Sequence, residues 1–283
     1  MPTPPTPDRP VPPEDRVPTV RYERIGPVAA VTMDRPKYRN AQSRVLLEDL
    51  DAAFATAMAD HDVRVVVLFG SGDHWSSGHD IGTPEELADR EARPYPPGTL
   101  GHNQRSWDFN VDNTMRWRDL PKPTLAAVQG MCIYGGWMIA AAMDLIVASE
   151  DARFVPFLFQ YQSTPWDIGA RRAKDLMWEQ GLLDARAAHE LGFVSEVVPR
   201  ERLEEAAMAK AERIARLNPL VAQSIKRQVN DAQDAQGFRA AIAAGHSTYM
   251  IANLGGAFFD ADNPFGSRKR MPSLDVAVPR DEA

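Results

Sequence analysis

Apolar and polar positions fall into a regular order only from about Val20 onward. Residues 20–26 (VRYERIG) and 28–34 (VAAVTMD) read as two strands of a hairpin, with Gly26-Pro27 as the turn. Leu46, Leu50, Phe54 and Met58 recur every four residues, which predicts a helix running to about Asp60, with Ser43 placed to cap its start. Residues 63–70 (VRVVVLFG) form a continuous β-branched run, the pattern of a strand buried on both faces. A polar, glycine-bearing loop, SGDHWSSGHD, comes next. Helices are then expected over 84–90 and 101–120, separated by the proline-rich linker RPYPPG. Residues 124–128 make a second buried strand, followed by the turn QGMCIYGG and a helix opening at Gly136. Short strands are expected at 144–148, 153–155 and 195–198, and helices at 170–179, 184–191, 201–216, 219–234 and 238–251. Strands alternating with helices, then a helical C-terminal third, predict an α/β core with a helical appendage.

Composition narrows the function classes. The formal charge of -7, from 32 basic and 39 acidic side chains, argues against a dedicated nucleic-acid binder. Cys132 is the single cysteine, so neither an internal disulfide framework nor a multi-cysteine zinc site is available, and a cytoplasmic setting is expected. The six histidines lack metal-ligand spacing, so no metal is expected. Residues 124–143 approach membrane-span length, but Gly130, Gly135 and Gly136 divide them into strand, turn and helix, and no membrane association is expected. Eight of the first 18 residues are proline and no apolar stretch lies among them, which reads as a structureless tail rather than a signal peptide. The expected organisation is a tail over 1–19, an α/β core over 20–200, a helical region over 201–255 and a second tail over 256–283.

Familiar catalytic signatures fail. Gly70 and Gly72 begin a dinucleotide fingerprint, but Trp75 stands where its third glycine belongs. Ser77, His79 and Asp80 are the right types for a triad, yet neighbours on one loop cannot stack as nucleophile, base and orienter. What remains is two buried strands, each leading into a glycine-containing turn: SSGHD (76–80) and GMCIYGGW (130–137). Backbone N–H groups of such turns can converge on one crevice, and a helix N-terminus beside them adds favourable dipole field. Two tight turns that merely use glycine for positive φ would look the same.

Taken together, MDRPKYRNAQS, SSGHD, PTLAAVQGMCIYGGW, AMDLIVASEDARF and LDARAAHELGFVSEVVP resemble the crotonase (enoyl-CoA hydratase/isomerase) superfamily, in order and at family spacing, over roughly residues 20–229. The resemblance implies a crotonase-like ββα spiral core with a C-terminal helical trimerisation region, hence a homotrimer or hexamer. It also implies an acyl-CoA substrate, CoA being part of the substrate rather than a separate cofactor. A thioester carbonyl would take hydrogen bonds from the amides of His79 and Gly135. Contacts to the CoA portion fall on Lys37, Tyr38, Arg39, Ala41, Ser77, Asp80 and Ile81. Tyr134 replaces a family glycine and narrows the acyl pocket.

Departures from the family pattern are equally informative. The two glutamates that hydratases use fall at Met138 and Leu158, neither of which transfers protons. With one inserted residue, Asp167 aligns with an acid/base residue of the dienoyl-CoA isomerases, although a helix-capping role is open to it as well. Hydration, double-bond isomerisation and C–C hydrolysis of a β-oxo acyl-CoA share one enolate, and a catalytically silent acyl-CoA carrier is the alternative of a different class. Trp75, Trp107 and Trp117 suggest large rings near the pocket, and Arg268, Lys269 and Arg270 read as part of the C-terminal tail.

Overall fold

The structure, a computed structural model, describes residues 16–256 except positions 158 and 180. Leu158, the basic run at 268–270 and most of both expected tails lie outside the described residues.

β1 (Val20–Ile25) and β2 (Val28–Met33) form the expected hairpin about Gly26-Pro27. β2 then pairs in parallel with β3 (Val65–Gly70), β3 with β4 (Thr124–Val128), β4 with β6 (Leu145–Ser149), and β6 with β9 (Glu196–Val198). The result is a six-stranded sheet in the order β1-β2-β3-β4-β6-β9. A smaller sheet joins β5 (Met131–Ile133), β7 (Arg153–Val155) and β8 (Leu183–Asp184). Its strand β5 lies inside the segment the sequence reads as a turn. Three residues carry no periodicity of their own, and β5 exists because β7 and the Ser76 backbone pair with it.

Between the strands run α1 (Arg44–Ala59), α2 (Pro84–Ala92), α3 (Gly98–Ser106), α4 (Asn113–Arg118), α5 (Gly135–Ala142), α6 (Thr164–Asp167), α7 (Ala170–Trp178) and α8 (Ala185–Glu190). Ser43 Oγ accepts from Leu46 N–H at 3.2 Å, capping α1 as its position predicts. The single helix expected over 101–120 is instead α3, a π-helical turn at Trp107–Asp112, and α4. α9 (Leu203–Ala215), α10 (Pro219–Ala235) and α11 (Phe238–Leu254) form the C-terminal helices.

Two apolar clusters sandwich the large sheet. Met33, Val66, Leu68, Ala126 and Val128 point to the side that holds α1, α5 and the small sheet. Val65, Val67, Leu125 and Val147 point to the other, where Leu203, Ala207 and Ala211 of α9 cover them. The strands are apolar on both faces for this reason, and it is why β3 and β4 read as unbroken runs. Among the described residues, no helix is long and apolar enough to cross a membrane.

Candidate active site

β3 and β4 run parallel with Phe69 opposite Ala127, so the turns that follow them emerge at one edge of the sheet. Backbone bonds lock those turns together. Trp75 N–H donates to Gln129 O at 2.9 Å, Ser76 N–H to Met131 O at 3.0 Å, and Ile133 N–H to Ser76 O at 3.1 Å. From the opposite side, Gln42 N–H donates to Gly78 O at 2.8 Å and Asp80 N–H to Gln42 O at 3.1 Å. Asn40, fully buried, staples the loop: its Nδ2 reaches the carbonyls of Ser71, His74 and Trp75, and its Oδ1 accepts from Arg35 N–H. The amides of His79 and Gly135 are left out of this ladder. Among the described residues, neither His79 N–H nor Gly135 N–H donates to a protein acceptor.

Gly78 makes the approach of the turns possible. It sits at φ +83, and a Cβ there would lie 2.9 Å from Ile133 O and 3.0 Å from Gly135 N. Gly135 opens α5, so its N–H also carries the positive end of the helix dipole. A Cβ on Gly135 would collide with Gln42 Oε1 and come within 2.9 Å of the His79 ring. The residue before it, Tyr134, holds φ 52 and ψ -113, a region that side-chain-bearing residues occupy only under strain. Its ring packs edge-on to Phe157 with centroids 6.2 Å apart.

Two titratable side chains belong to this region. His79 Nε2 hydrogen-bonds Gln160 Oε1 at 3.1 Å, so that nitrogen carries the proton. Burial pushes the imidazole down to about 4, and the charge of Arg105 adds to the effect against the opposing bond to Gln160. The ring is therefore neutral at pH 7. Asp167 Oδ2 accepts two hydrogen bonds, from Trp137 Nε1–H at 2.9 Å and from Ser163 Oγ–H at 2.8 Å. Burial raises this carboxyl to about 6, although both donors favour the ionised form. Asp167 Oδ1 has no protein partner among the described residues. Trp137 is itself completely buried and stacked on Phe193 at 4.0 Å, so it presents a rigid donor.

The sequence profile of the enoyl-CoA hydratase/isomerase family matches residues 23–250. The chain belongs to that family. Mycobacterium tuberculosis EchA13, whose name places it among the enoyl-CoA hydratases, is 40% identical over 244 residues, covering 79% of this chain and 77% of the relative. A solved Mycobacterium smegmatis protein carrying the enoyl-CoA hydratase name is 34% identical, with a TM-score of 0.77 over 83% of this chain and 95% of that one. An enoyl-CoA hydratase/isomerase from Xanthobacter autotrophicus Py2 is 31% identical, with a TM-score of 0.74 over 82% and 86% of the two chains.

Within this hydratase/isomerase fold, the residues picked out from the sequence divide into groups. His79, Gly135 and Tyr134 meet at one point, as described above. Lys37, Arg39 and Ile81 are exposed, Tyr38 and Ser77 are partly buried, and Ala41 is buried. Arg35 and Lys37 both lie against the Tyr38 ring, at 5.0 and 4.9 Å from its centroid, and the Tyr38 hydroxyl donates to Glu85 Oε1 at 2.8 Å. Asp80 is occupied internally: its carboxylate takes Arg35 Nη1–H, the N–H groups of Gly82 and Thr83, and the Thr83 hydroxyl. Its backbone is occupied as well, the N–H by Gln42 O and the carbonyl by Arg90 Nη2–H, so Asp80 shapes the turn rather than offering a free group to a ligand. Met138 is buried within the main core cluster.

Several expectations need correcting. Asp167 caps no helix N-terminus. It ends α6, while Gly169, at φ 83 and without a side-chain cap, starts α7. The indole that donates to it is Trp137, thirty residues away, while the adjacent Trp166 packs on Phe238. Trp75 and Trp117 are core residues, while Trp107 is 38% exposed and sits edge-on to His246. Asn40 and Gln42 lie inside the motif MDRPKYRNAQS without being singled out by it, and no sequence pattern marks Gln160 as a partner of the site. Ser163 and Asp167 do carry a legible signal, since residues four apart share one helix face.

Proposed function

We propose that the chain binds an acyl-CoA with its thioester oxygen between the amides of His79 and Gly135, and that these donors stabilise an enolate. What supports this reading is that both N–H groups lack a protein acceptor among the described residues, the Gly135 amide opening α5 and the His79 amide following Gly78, where the two turns meet. A preorganised donor of this kind is worth ~2.7–4 kcal/mol in a transition state. Asp167 is the acid/base: one oxygen is held by Trp137 and Ser163, the other is free, and a carboxyl near 6 is mostly ionised at pH 7 yet readily accepts a proton. Hydration in the family pattern calls on two glutamates, and the sequence has Met138 and Leu158 there. One carboxylate suffices to take a proton from one acyl carbon and return it to another. The reaction proposed is therefore allylic double-bond isomerisation of an enoyl-CoA.

The test is proton exchange at the acyl chain of a bound enoyl-CoA in deuterated buffer, with product geometry read by NMR. Deuterium incorporation with a shifted double bond supports isomerisation; a hydroxyl on the product would make the enzyme a hydratase. Tight binding with no exchange would mark a silent carrier. Assembly as a homotrimer or hexamer is supported by an apolar stripe on α10, where Val221, Ile225 and Val229 follow one another every four residues and are 48%, 52% and 56% exposed. Sedimentation showing only a 31.4 kDa species at micromolar concentration would overturn that assembly.

A further inference from the structure

Behind the His79–Asp80 turn, two guanidinium groups share one carboxylate. Arg90 Nε–H donates to Glu86 Oε1 at 2.7 Å, and Arg105 Nη2–H donates to the same oxygen at 2.6 Å. Glu86 Oε2 is taken by the backbone N–H of Arg44 at 2.8 Å. The Glu86 side chain is completely buried, whereas those of Arg90 and Arg105 remain 36% and 33% exposed. Among the described residues, Glu86 is the only carboxylate paired with either arginine, so the pair keeps one surplus positive charge at its open edge. That edge adjoins the candidate active site: Arg90 Nη2–H donates to Asp80 O at 3.1 Å, one residue from the His79 amide. Arg105 Nε, buried, has no acceptor among the described residues. A surplus cation at an open edge suits an oxyanion, which the exposed ends of the two guanidinium groups can reach, and a guanidinium fork matches a carboxylate in two-point geometry.

We propose that Arg105, backed by Arg90, binds a carboxylate at the far end of the acyl chain, so that the substrate is the CoA thioester of a dicarboxylic acyl group. The inference rests on the reading that the thioester sits at the His79 and Gly135 amides. The CoA diphosphate is also an oxyanion, but the bond from Arg90 to Asp80 O, next to the His79 amide, sets the pair beside the thioester position.

The experiment compares a but-2-enoyl thioester with its 4-carboxy counterpart, each prepared as the CoA ester and as the pantetheine ester that lacks the diphosphate. Binding is measured by calorimetry and proton exchange by NMR. The wild-type enzyme is expected to favour the 4-carboxy ester by about 10- to 100-fold in both series, the worth of hydrogen bonds between charged partners. Arg105→Gln should abolish that preference, and Arg105→Lys should restore part of it. Equal affinity for the two esters in the wild type overturns the proposal without reference to any variant, so a poorly folding Arg105→Gln does not obscure the result. A preference confined to the CoA series, or an Arg105→Gln loss shared by every CoA ester, assigns the arginines to the diphosphate and also overturns it. If no ester exchanges its protons but the 4-carboxy ester still binds 10- to 100-fold tighter, the subsite stands and the enolate chemistry falls. Exchange at equal rates from both esters, bound equally, leaves the chemistry standing and removes the subsite.

Discussion

Replacing Asp167 by asparagine separates chemistry from structure at this site. Asparagine keeps the volume and one carbonyl oxygen to accept from Trp137 Nε1–H and Ser163 Oγ–H, and it loses only the ionisable group. Burial raises the Asp167 carboxyl from the ordinary 3.8 to about 6. Each tenfold change in proton affinity is 1.36 kcal/mol, so holding this carboxylate ionised at pH 7 costs the native state at most ~3 kcal/mol, and its partial exposure to water reduces that to ~1–2 kcal/mol. The sign follows from linkage. The native protein binds this proton more tightly than the unfolded chain does, so this contribution to stability is greatest below about pH 4, is lost as pH rises to about 6, and is flat beyond. Asp167→Asn should therefore melt a few degrees above wild type at pH 7 and lose that part of the pH dependence between pH 4 and 6. Proton exchange from the bound enoyl-CoA should fall ~10²–10⁴-fold. In the wild type, kcat/KM should decline below about pH 6 as the base is protonated. Thermal melts from pH 4 to 8, paired with exchange rates at each pH, test both halves. Wild-type exchange in the variant would remove Asp167 from the mechanism. A loss of more than ~2 kcal/mol in stability would show that the carboxylate holds the fold rather than burdening it.

Other outcomes follow from single contacts. Gly135→Ala places a methyl group against Gln42 Oε1 and the His79 ring; turnover should drop by ~10²-fold or more, with melting and exchange measured on one preparation, and normal turnover would show that the hole tolerates displacement. Tyr134→Gly relieves backbone strain of ~1–3 kcal/mol and forfeits a ring contact of ~0.5–1.5 kcal/mol, so denaturant midpoints should match or exceed wild type despite the lost ring. A fall of more than ~2 kcal/mol there would contradict the strain argument. Asp80→Asn leaves Arg35 buried beside a neutral amide and should cost ~3–5 kcal/mol in chemical denaturation. Hydrogen bonds from Thr83, Gly82 and Arg35 hold the Asp80 carboxyl below its ordinary value despite burial. Its stabilisation should consequently be present at neutral pH and disappear as acid protonates the native carboxylate, a dependence the asparagine variant should lack.

What the sequence alone determined was local. A β-branched run announced β3, the Gly26-Pro27 turn announced the β1–β2 hairpin, an apolar run announced β4, the four-residue recurrence and Ser43 announced α1, and Gly78 marked where backbone approaches backbone. Such signals are legible because strand and helix periodicity, caps and positive φ are properties of neighbouring residues. The order of family motifs carried the fold, and with it the position of the candidate site. Only the tertiary structure decided which side chains meet. Tertiary packing sets Trp137 against Asp167 and brings Gln160 to the His79 ring, and strand pairing turns three residues of a glycine-rich turn into β5. Trp75 and Trp117 went to the core rather than to the pocket for the same reason: the face of an element that becomes interior depends on what packs against it. Hydrogen bonds between residues 30 to 81 positions apart leave no mark on local pattern, because Gln, Ser and Trp are equally at home on a surface or in a loop. The fold therefore supplies the burial that raises a carboxyl to about 6 and holds an imidazole neutral, against the pull of the very partners it brings to them.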